Sequence, residues 1–463
     1  MERLKRFKGT VSFIITSTII IIQSTIFFLI WDAIYNDKML YSPLYNRGLI
    51  LLVIVYSIMC VAFSKIYGGY KIGYYRVSDV IYSQALSLIF VNVITYIQVS
   101  LMDRRMLNPI AFIIMTVVQI LATVCWAYIS NRFYYRVFPP MKVVVIYGNI
   151  NVDVFTQKMN KRWDKYNICS VISIDRGMDK VLAEIRKYEA VVIYDVESML
   201  RNIILKECYG MSMSVYVTPK ISDIILGSSD DIHLFDTPLF LSKNTGMSYE
   251  QKFIKRLIDI VTSIALIIVT APIMLVVAAA IKINDGEAIL FKQKRLTEDS
   301  KIFNIYKFRS MVTDAEKDGM ARMASKDDDR ITKVGKIIRK LRFDELPQLF
   351  NVLAGDMSLV GPRPERPEIA ERYVELIPEF QFRTKVKAGI TGYAQIMGKY
   401  NTTAYDKLKL DMMYIEKFSL LLDFKILLMT FKYVFTPRNE ESTEGFDTND
   451  IFAEYSLSSS EKD

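Results

Sequence analysis

The sequence predicts a membrane protein of α/β plus membrane α class. It has four transmembrane helices, a Rossmann-like α/β middle domain, and an α/β-type domain anchored by a fifth apolar helix kinked at a proline. Three observations predict this. The chain is 51% hydrophobic, and that content is gathered into long uncharged blocks, which argues for membrane segments rather than one large core. Past residue 140, strand-like and helix-like stretches alternate, as in a parallel α/β unit. From Phe291 to Gln395, basic residues, glycines and prolines punctuate short apolar elements. A length of 463 residues leaves room for two or three such domains.

The first domain covers residues 1–140. Val11–Ile30, Gly48–Ser64, Val80–Met102 and Met106–Asn131 carry no charge, and each is long enough to cross a hydrocarbon layer of roughly 30 Å. The first run is too long for a signal peptide and lacks a small-residue cleavage site, so it is expected to stay as a span. One set of flanks carries ten basic residues: Arg3, Lys5, Arg6, Lys8, Lys65, Lys71, Arg76, Arg132, Arg136 and Lys142. The other carries four: Lys38, Arg47, Arg104 and Arg105. The excess places the N-terminus, and everything after the fourth helix, on the cytoplasmic side. No paired intramembrane charges suggest a transport path, so this block reads as an anchor.

Residues 141–245 form the middle domain. Lys142–Gly148 (KVVVIYG), Ile168–Ile174, Ala190–Tyr194 and Ser214–Val217 read as strands with helices between them. A dinucleotide site needs a glycine-rich first turn. Here Gly148 is followed by Asn149, Ile150 and Asn151, so the fingerprint is absent and a structural or regulatory role is expected. The lone histidine, His233, reads as an ordinary residue. Cys60, Cys125, Cys169 and Cys208 lack metal-ligand spacing and read as free thiols.

Ile260–Ile281 is a fifth uncharged run, of 22 residues, with Pro272 near its middle. The proline removes a backbone hydrogen bond and kinks the helix. Lys252, Lys255 and Arg256 ahead of it suit anionic headgroups. Pattern alone leaves a fifth span and a re-entrant helix equally open.

The chemistry is concentrated beyond this helix. FKQKR (Phe291–Arg295), YKFRSM (Tyr306–Met311), FDELPQLFN (Phe343–Asn351), GDMSLVGPRPE (Gly355–Glu365) and GITGYAQ (Gly389–Gln395) follow in order. Lys307, Arg309, Arg339 and Arg363 supply positive charge, and an arginine fork matches phosphate oxygens. The turn Val360–Pro364 can aim backbone N–H groups at an anion. Asp344 and Glu345 place two carboxylates in this basic setting. One can attack phosphorus while the other holds a divalent cation. No Cys or His lies beyond His233, so a covalent step here must use a carboxylate, serine, threonine, lysine or tyrosine. The net charge of +9 fits an anionic partner. Much of it flanks membrane runs, so no nucleic acid partner is expected.

Together with KRLID (Lys255–Asp259), this ordered series resembles the bacterial sugar transferase family, the monotopic polyprenyl-phosphate phosphoglycosyl transferases. With the helices and α/β segment in front, the chain is similar to the large form that initiates exopolysaccharide or capsule repeat units. The resemblance implies a catalytic domain over residues 250–437. It implies transfer of a sugar-1-phosphate from a UDP-sugar to undecaprenyl phosphate, releasing UMP. By resemblance, Asp344 is the nucleophile, and Glu345 the second dyad carboxylate, serving Mg²⁺ or the acceptor. Lys307, Arg339 and Arg363 match donor-phosphate contacts, Arg309 lies in the same motif as Lys307, and Gln395 falls near the site. UDP-glucose or UDP-galactose is the expected donor, with membrane lipids and a second copy of the chain as candidate partners.

A cytosolic donor requires a cytoplasmic catalytic domain on the bacterial inner membrane. A fifth span would put that domain outside, so residues 260–281 are expected to be re-entrant. The chain departs from the family at Ala271-Pro272, where Ser-Pro is usual. It also departs at Thr297 and Ser300, where glycines are usual, and at Ala388, where proline is usual. Residues 438–463 are acidic and rich in Ser and Thr, and are expected to be a disordered tail. Leu420–Phe435 reads equally as an interfacial amphipathic helix or a packing helix.

Overall fold

A long apolar run in lipid has no water for its backbone, so it must pair its own N–H and C=O groups as a helix. The computed structural model describes residues 7–36, 39, 46–148, 151–234, 236–242, 246–312, 330–398 and 402–435. These fall into two compact units divided between Thr218 and Pro219. The expected acidic tail lies outside the described residues.

In the first unit the apolar runs are α1 (Lys8–Ile30, continued by a π-helical turn Trp31–Tyr35), α2 (Asn46–Tyr67), α3 (Val77–Met102) and α4 (Ile110–Val137). All four are long and apolar enough to cross a membrane. Their outward faces are apolar, with Phe13, Leu51, Ile58 and Ile113 exposed. Between the helices Phe27 stacks on Tyr56 at 4.1 Å between ring centres. Beside them runs a seam of uncharged polar groups. Gln119 Nε2 donates to the Tyr56 hydroxyl (2.8 Å) and the Gln23 carbonyl (3.1 Å). Asn92 Nδ2 donates to Gln119 Oε1 (2.9 Å), and Tyr56 donates to Asn92 Oδ1 (2.8 Å).

The chain then enters β1 (Met141–Tyr147), α5 (Asp153–Asn160), β2 (Tyr166–Ser173), α6 (Met178–Ile185), β3 (Ala190–Tyr194), α7 (Ser198–Gly210) and β4 (Ser214–Val217). The strands make one parallel sheet in the order β2-β1-β3-β4. Parallel strands are covered on both faces, so they read as unbroken apolar runs. Val143 to Ile146 are accordingly fully buried. At the end of β1, a Cβ on Gly148 would come within 2.2 Å of the Asp195 carbonyl oxygen. Glycine is therefore required there by close approach of the backbone.

The second unit begins ahead of the expected boundary at residue 245. Ile221 and Ile224 of α8 (Ile221–Leu226) are buried in its core together with Met247, Val352 and Leu408. After the antiparallel hairpin β5 (Asp230–Leu234) and β6 (Thr237–Leu241) comes α9 (Tyr249–Asp285). Its start is capped reciprocally: Gln251 N donates to Ser248 Oγ (3.2 Å) and Ser248 N donates to Gln251 Oε1 (3.0 Å). The helix runs through Pro272 and stops at Gly286, whose φ of +71° suits glycine.

β7 (Leu290–Leu296) and β8 (Ile302–Phe308) form an antiparallel pair. Then follow α10 (Lys333–Lys340), α11 (Gln348–Ala354), β9 (Ser358–Val360), α12 (Pro367–Leu376) and β10 (Gly389–Thr391), which pairs parallel to β9. α13 (Tyr393–Met397), α14 (Ala404–Glu416) and α15 (Leu420–Phe435) complete the unit. α15 is at least partly a packing helix, because Ile426 is buried in the same core.

Both halves of α9 rest on this α/β body. Arg256 donates to the Val352 and Leu353 carbonyls at the end of α11 (2.5 and 2.7 Å), and buried Asp259 accepts from Leu359 N (3.1 Å). Further along, Met274, Val277 and Ile281 pack with Phe308 and Ile338. Val261, Ile268 and Val269, which lie between, are exposed.

Candidate active site

Arg342 closes α10 in the left-handed region (φ +60°) and turns the chain into a short 3₁₀ turn, Phe343–Glu345. Backbone strain of this kind persists where the surrounding structure holds it. The turn carries the dyad. Three cations from three separate segments meet Glu345: Lys307 Nζ of β8 at 3.5 Å, an Arg363 Nη at 3.5 Å, and Arg342 Nη1 at 3.6 Å. Among the described residues, the Asp344 carboxylate has no hydrogen bond or ion pair.

The two carboxyls are pushed apart in acidity. Burial would raise Glu345, but Lys307, Arg363 and Arg342 outweigh it and hold the group at about 2. Asp344 is raised, by burial first and by the neighbouring Glu345 charge second; Lys307, Arg339 and Arg342 oppose this only in part. Lys307 is lowered by burial, against the pull of Glu345. The two adjacent carboxyls thus sit in different electrostatic surroundings. Glu345 is the fixed anion that gathers the cations, and Asp344 is the one beside them that none of the described residues engages.

The supporting residues explain this placement. Asn351 of α11 is fully buried. Its Nδ2 donates to the Asn304 carbonyl (2.8 Å) and its Oδ1 accepts from Tyr306 N (3.0 Å), which pins β8, and so Lys307, beside the dyad. After β9 the backbone passes so near β10 that a Cβ on Gly361 would lie 2.3 Å from the Lys387 carbonyl oxygen. That approach sets the course of Pro362-Arg363-Pro364. Arg383, nearly buried, holds the same segment: it donates to the Arg363 carbonyl (3.0 Å), Glu365 Oε1 (3.2 Å) and Asp411 Oδ2 (2.7 Å). Arg295 donates to the Pro364 carbonyl (3.0 Å) and lines a small crevice with Lys307 and Arg363.

Of the residues singled out from sequence, Asp344, Glu345, Lys307 and Arg363 are brought together. Arg339 lies on α10, close enough for its charge to act on Asp344. Gln395 sits half-buried on α13, one turn past Gly392, which abuts the Gly361 carbonyl. Arg309 is placed elsewhere. It is buried, its Nε donates to the Ala288 carbonyl (2.6 Å), and it pairs with Asp285. It ties β8 to the end of α9. Sequence reasoning did not single out Arg342, Arg383 or Asn351. Arg342 directly precedes the FDE turn, and Asn351 ends the FDELPQLFN motif, so both were within reach. Arg383 carried no local signal.

Among the described residues no group of three or more His, Cys, Asp or Glu could hold a metal by itself. Two carboxylates are nonetheless a fitting donor set for Mg²⁺, which commonly takes its other ligands from water and substrate phosphates.

The carboxylate pair thus stands among cations on an α/β body that bears a long apolar helix. The chain belongs to the bacterial sugar transferase family, whose pattern matches residues 250–437. It is 40% identical over 235 residues to a UDP-N-acetylgalactosamine-undecaprenyl-phosphate N-acetylgalactosaminephosphotransferase of Aeromonas hydrophila, covering 50% of this chain and 55% of that one. It is 43% identical over 204 residues to a UDP-glucose:undecaprenyl-phosphate glucose-1-phosphate transferase of Klebsiella pneumoniae, covering 43% and 42%. An uncharacterized sugar transferase of Bacillus subtilis is 42% identical over 191 residues, covering 41% of this chain and 91% of that protein. The chain thus spans about half the length of the larger relatives and nearly all of the short one.

Proposed function

We propose that this chain transfers a sugar-1-phosphate from a UDP-sugar to undecaprenyl phosphate, as the first membrane step of exopolysaccharide or capsule synthesis. The observation that carries the reading is the divided dyad: an anion fixed by three cations, beside a carboxylate that none of the described residues engages. An Asp344 oxygen attacks the phosphorus that bears the sugar, the bond to the UMP oxygen breaks, and UMP leaves. An oxygen of undecaprenyl phosphate then attacks the same phosphorus. The bond to Asp344 breaks, the carboxylate is restored, and undecaprenyl-diphosphate-sugar departs. Splitting the reaction means two anionic substrates need not occupy the site together. Lys307 and Arg363, with Arg339 nearby, stabilise the charge in each half. Asp344 and Glu345 would hold Mg²⁺, which when bound neutralises the diphosphate.

For topology we propose the re-entrant form of α9 on the cytoplasmic face of the inner membrane, with membrane lipids around its exposed middle. Asp259 and Ile281 contact one α/β body, which favours both ends lying on one side. The first unit is read as four spans followed by a Rossmann-like domain.

The test is kinetic and chemical. Parallel double-reciprocal plots, and a sugar-phosphate adduct on the Asp344 peptide when acceptor is withheld, are expected. Intersecting plots with no adduct by mass spectrometry would reduce Asp344 to a base or metal ligand. Single cysteines at the exposed positions 249 and 282, in a background lacking the four native cysteines, labelled from opposite faces would establish a fifth span instead.

A further inference from the structure

Arg363 has two neighbourhoods. One is the dyad, where its guanidinium faces Glu345. The other is a cavity of about 590 Å³ on whose wall Arg363, Pro364 and Glu365 lie. That volume is within the range that takes a small ligand, roughly 300–1,000 Å³. The small crevice shared with Lys307 is bounded by the same Arg363 and Pro364, so the cavity and the dyad meet across this segment.

The lining says what class of group fits. Two arginines, Arg363 and Arg383, stand against three carboxylates, Glu365, Glu371 and Glu375. Arg383 already donates to Glu365, Asp411 and the Arg363 carbonyl. A further phosphate would meet an excess of negative charge. The remaining polar side chains are Thr297, Ser300, Gln381 and Thr384, with Val374 and Ile302 as apolar surface. Carboxylates and amides accept hydrogen bonds from hydroxyls, and apolar side chains pack against ring C–H groups. Phe380 is only 3% exposed, so it offers no open face for a base to stack upon.

We infer that this cavity receives a neutral, hydroxyl-bearing ring of the nucleotide-sugar donor, whose diphosphate lies on the Arg363 side of the dyad. The inference rests on the function proposed above. Either of the donor's two such rings, the transferred sugar or the ribose, would present this chemistry, and the two are separable by experiment.

Full-length protein in lipid nanodiscs is titrated with UDP-glucose, UDP-galactose, UDP-N-acetylgalactosamine and UMP. The variants are Val374→Trp, which fills the cavity from within, and Gln381→Trp, at its exposed rim and safe for folding. Each is expected to weaken the best-bound UDP-sugar at least tenfold. UMP binding left unchanged assigns the cavity to the sugar; UMP weakened equally assigns it to the ribose. Wild-type affinity for both ligands in a folded Gln381→Trp protein, with any folded Val374→Trp protein agreeing, overturns the inference while leaving the proposed function intact. Wild-type protein that binds neither UDP-sugar nor UMP removes the function and this inference together.

Discussion

Both units bury polar groups, but the seam between the first unit's long helices and the site region of the second bury different kinds. Between α1 and α4 the buried partners are neutral: Gln23, Tyr56, Asn92 and Gln119. The second unit adds ions to its buried neutral groups: Lys255 with Asp423 and Arg383 with Asp411 are buried, and Lys307 with Glu345 is largely so, with exposed Arg363 closing on Glu345 from the rim. Helices apolar enough to span a membrane gain specificity from amide hydrogen bonds without the cost of burying charge. A site for phosphates needs charge, and then every buried ion needs its partner. The difference shows how one chain meets two solvents.

The sharpest way to break this comparison is at the dyad. Asp344→Asn should lower UMP release by at least about 10³-fold while donor binding partly survives. Glu345→Gln should be severely impaired, and chelating Mg²⁺ should stop the wild type. Robust turnover by Asp344→Asn would remove the distinction between a fixed and a reactive carboxylate.

The next effect is on stability. Arg383→Met leaves buried Asp411 and half-buried Glu365 without their cation, a loss of about 3–5 kcal/mol. Gln119→Leu removes neutral bonds only, and should cost about 1–2 kcal/mol at most. Denaturant titration of each variant, reported by a probe in its own unit, measures the contrast. Equal losses would show that charge is not what separates the two units.

The smallest effect concerns pH. Burial tends to raise Glu365, but Arg383, Lys407, Arg295 and Arg363 prevail and lower it. A carboxyl lowered by folding adds stability above its unfolded value, about 4.3, and loses it as pH falls through the folded value. Glu365→Gln should therefore flatten the acid-side loss of stability between about pH 5 and pH 3. Unfolding midpoints across that range check it, and an unchanged slope would show that Glu365 is not what couples the second unit to pH.

Much of the architecture was legible locally. Uncharged runs imply helices wherever water is absent, and Val143–Ile146 announces a strand covered on both faces. The Asp344–Glu345 pair is legible as one member of an ordered, dense series of motifs, since an Asp-Glu pair alone usually marks a solvated face or a helix start. Arg309 shows the limit. It sits two residues from Lys307 in one motif, yet it points into the fold at Asp285 while Lys307 faces Glu345. A strand's side chains with the same parity share a face, but what each side chain meets depends on the element packed against it.

By itself, the sequence determined the order of apolar blocks and motifs, and hence the family and the pair of carboxyls. Those properties belong to neighbouring residues and survive in any conformation. Only tertiary structure decided which carboxyl the three cations hold. Positions 307, 342 and 363 converge on Glu345 only after β8, α10 and β9 have packed, and electrostatic strength follows from that distance and burial. It also decided that Asp259 and Ile281, on opposite sides of Pro272, rest on one body. A hydropathy pattern reports what a helix avoids, while the surfaces at its two ends are built by residues about a hundred positions and a few dozen positions away.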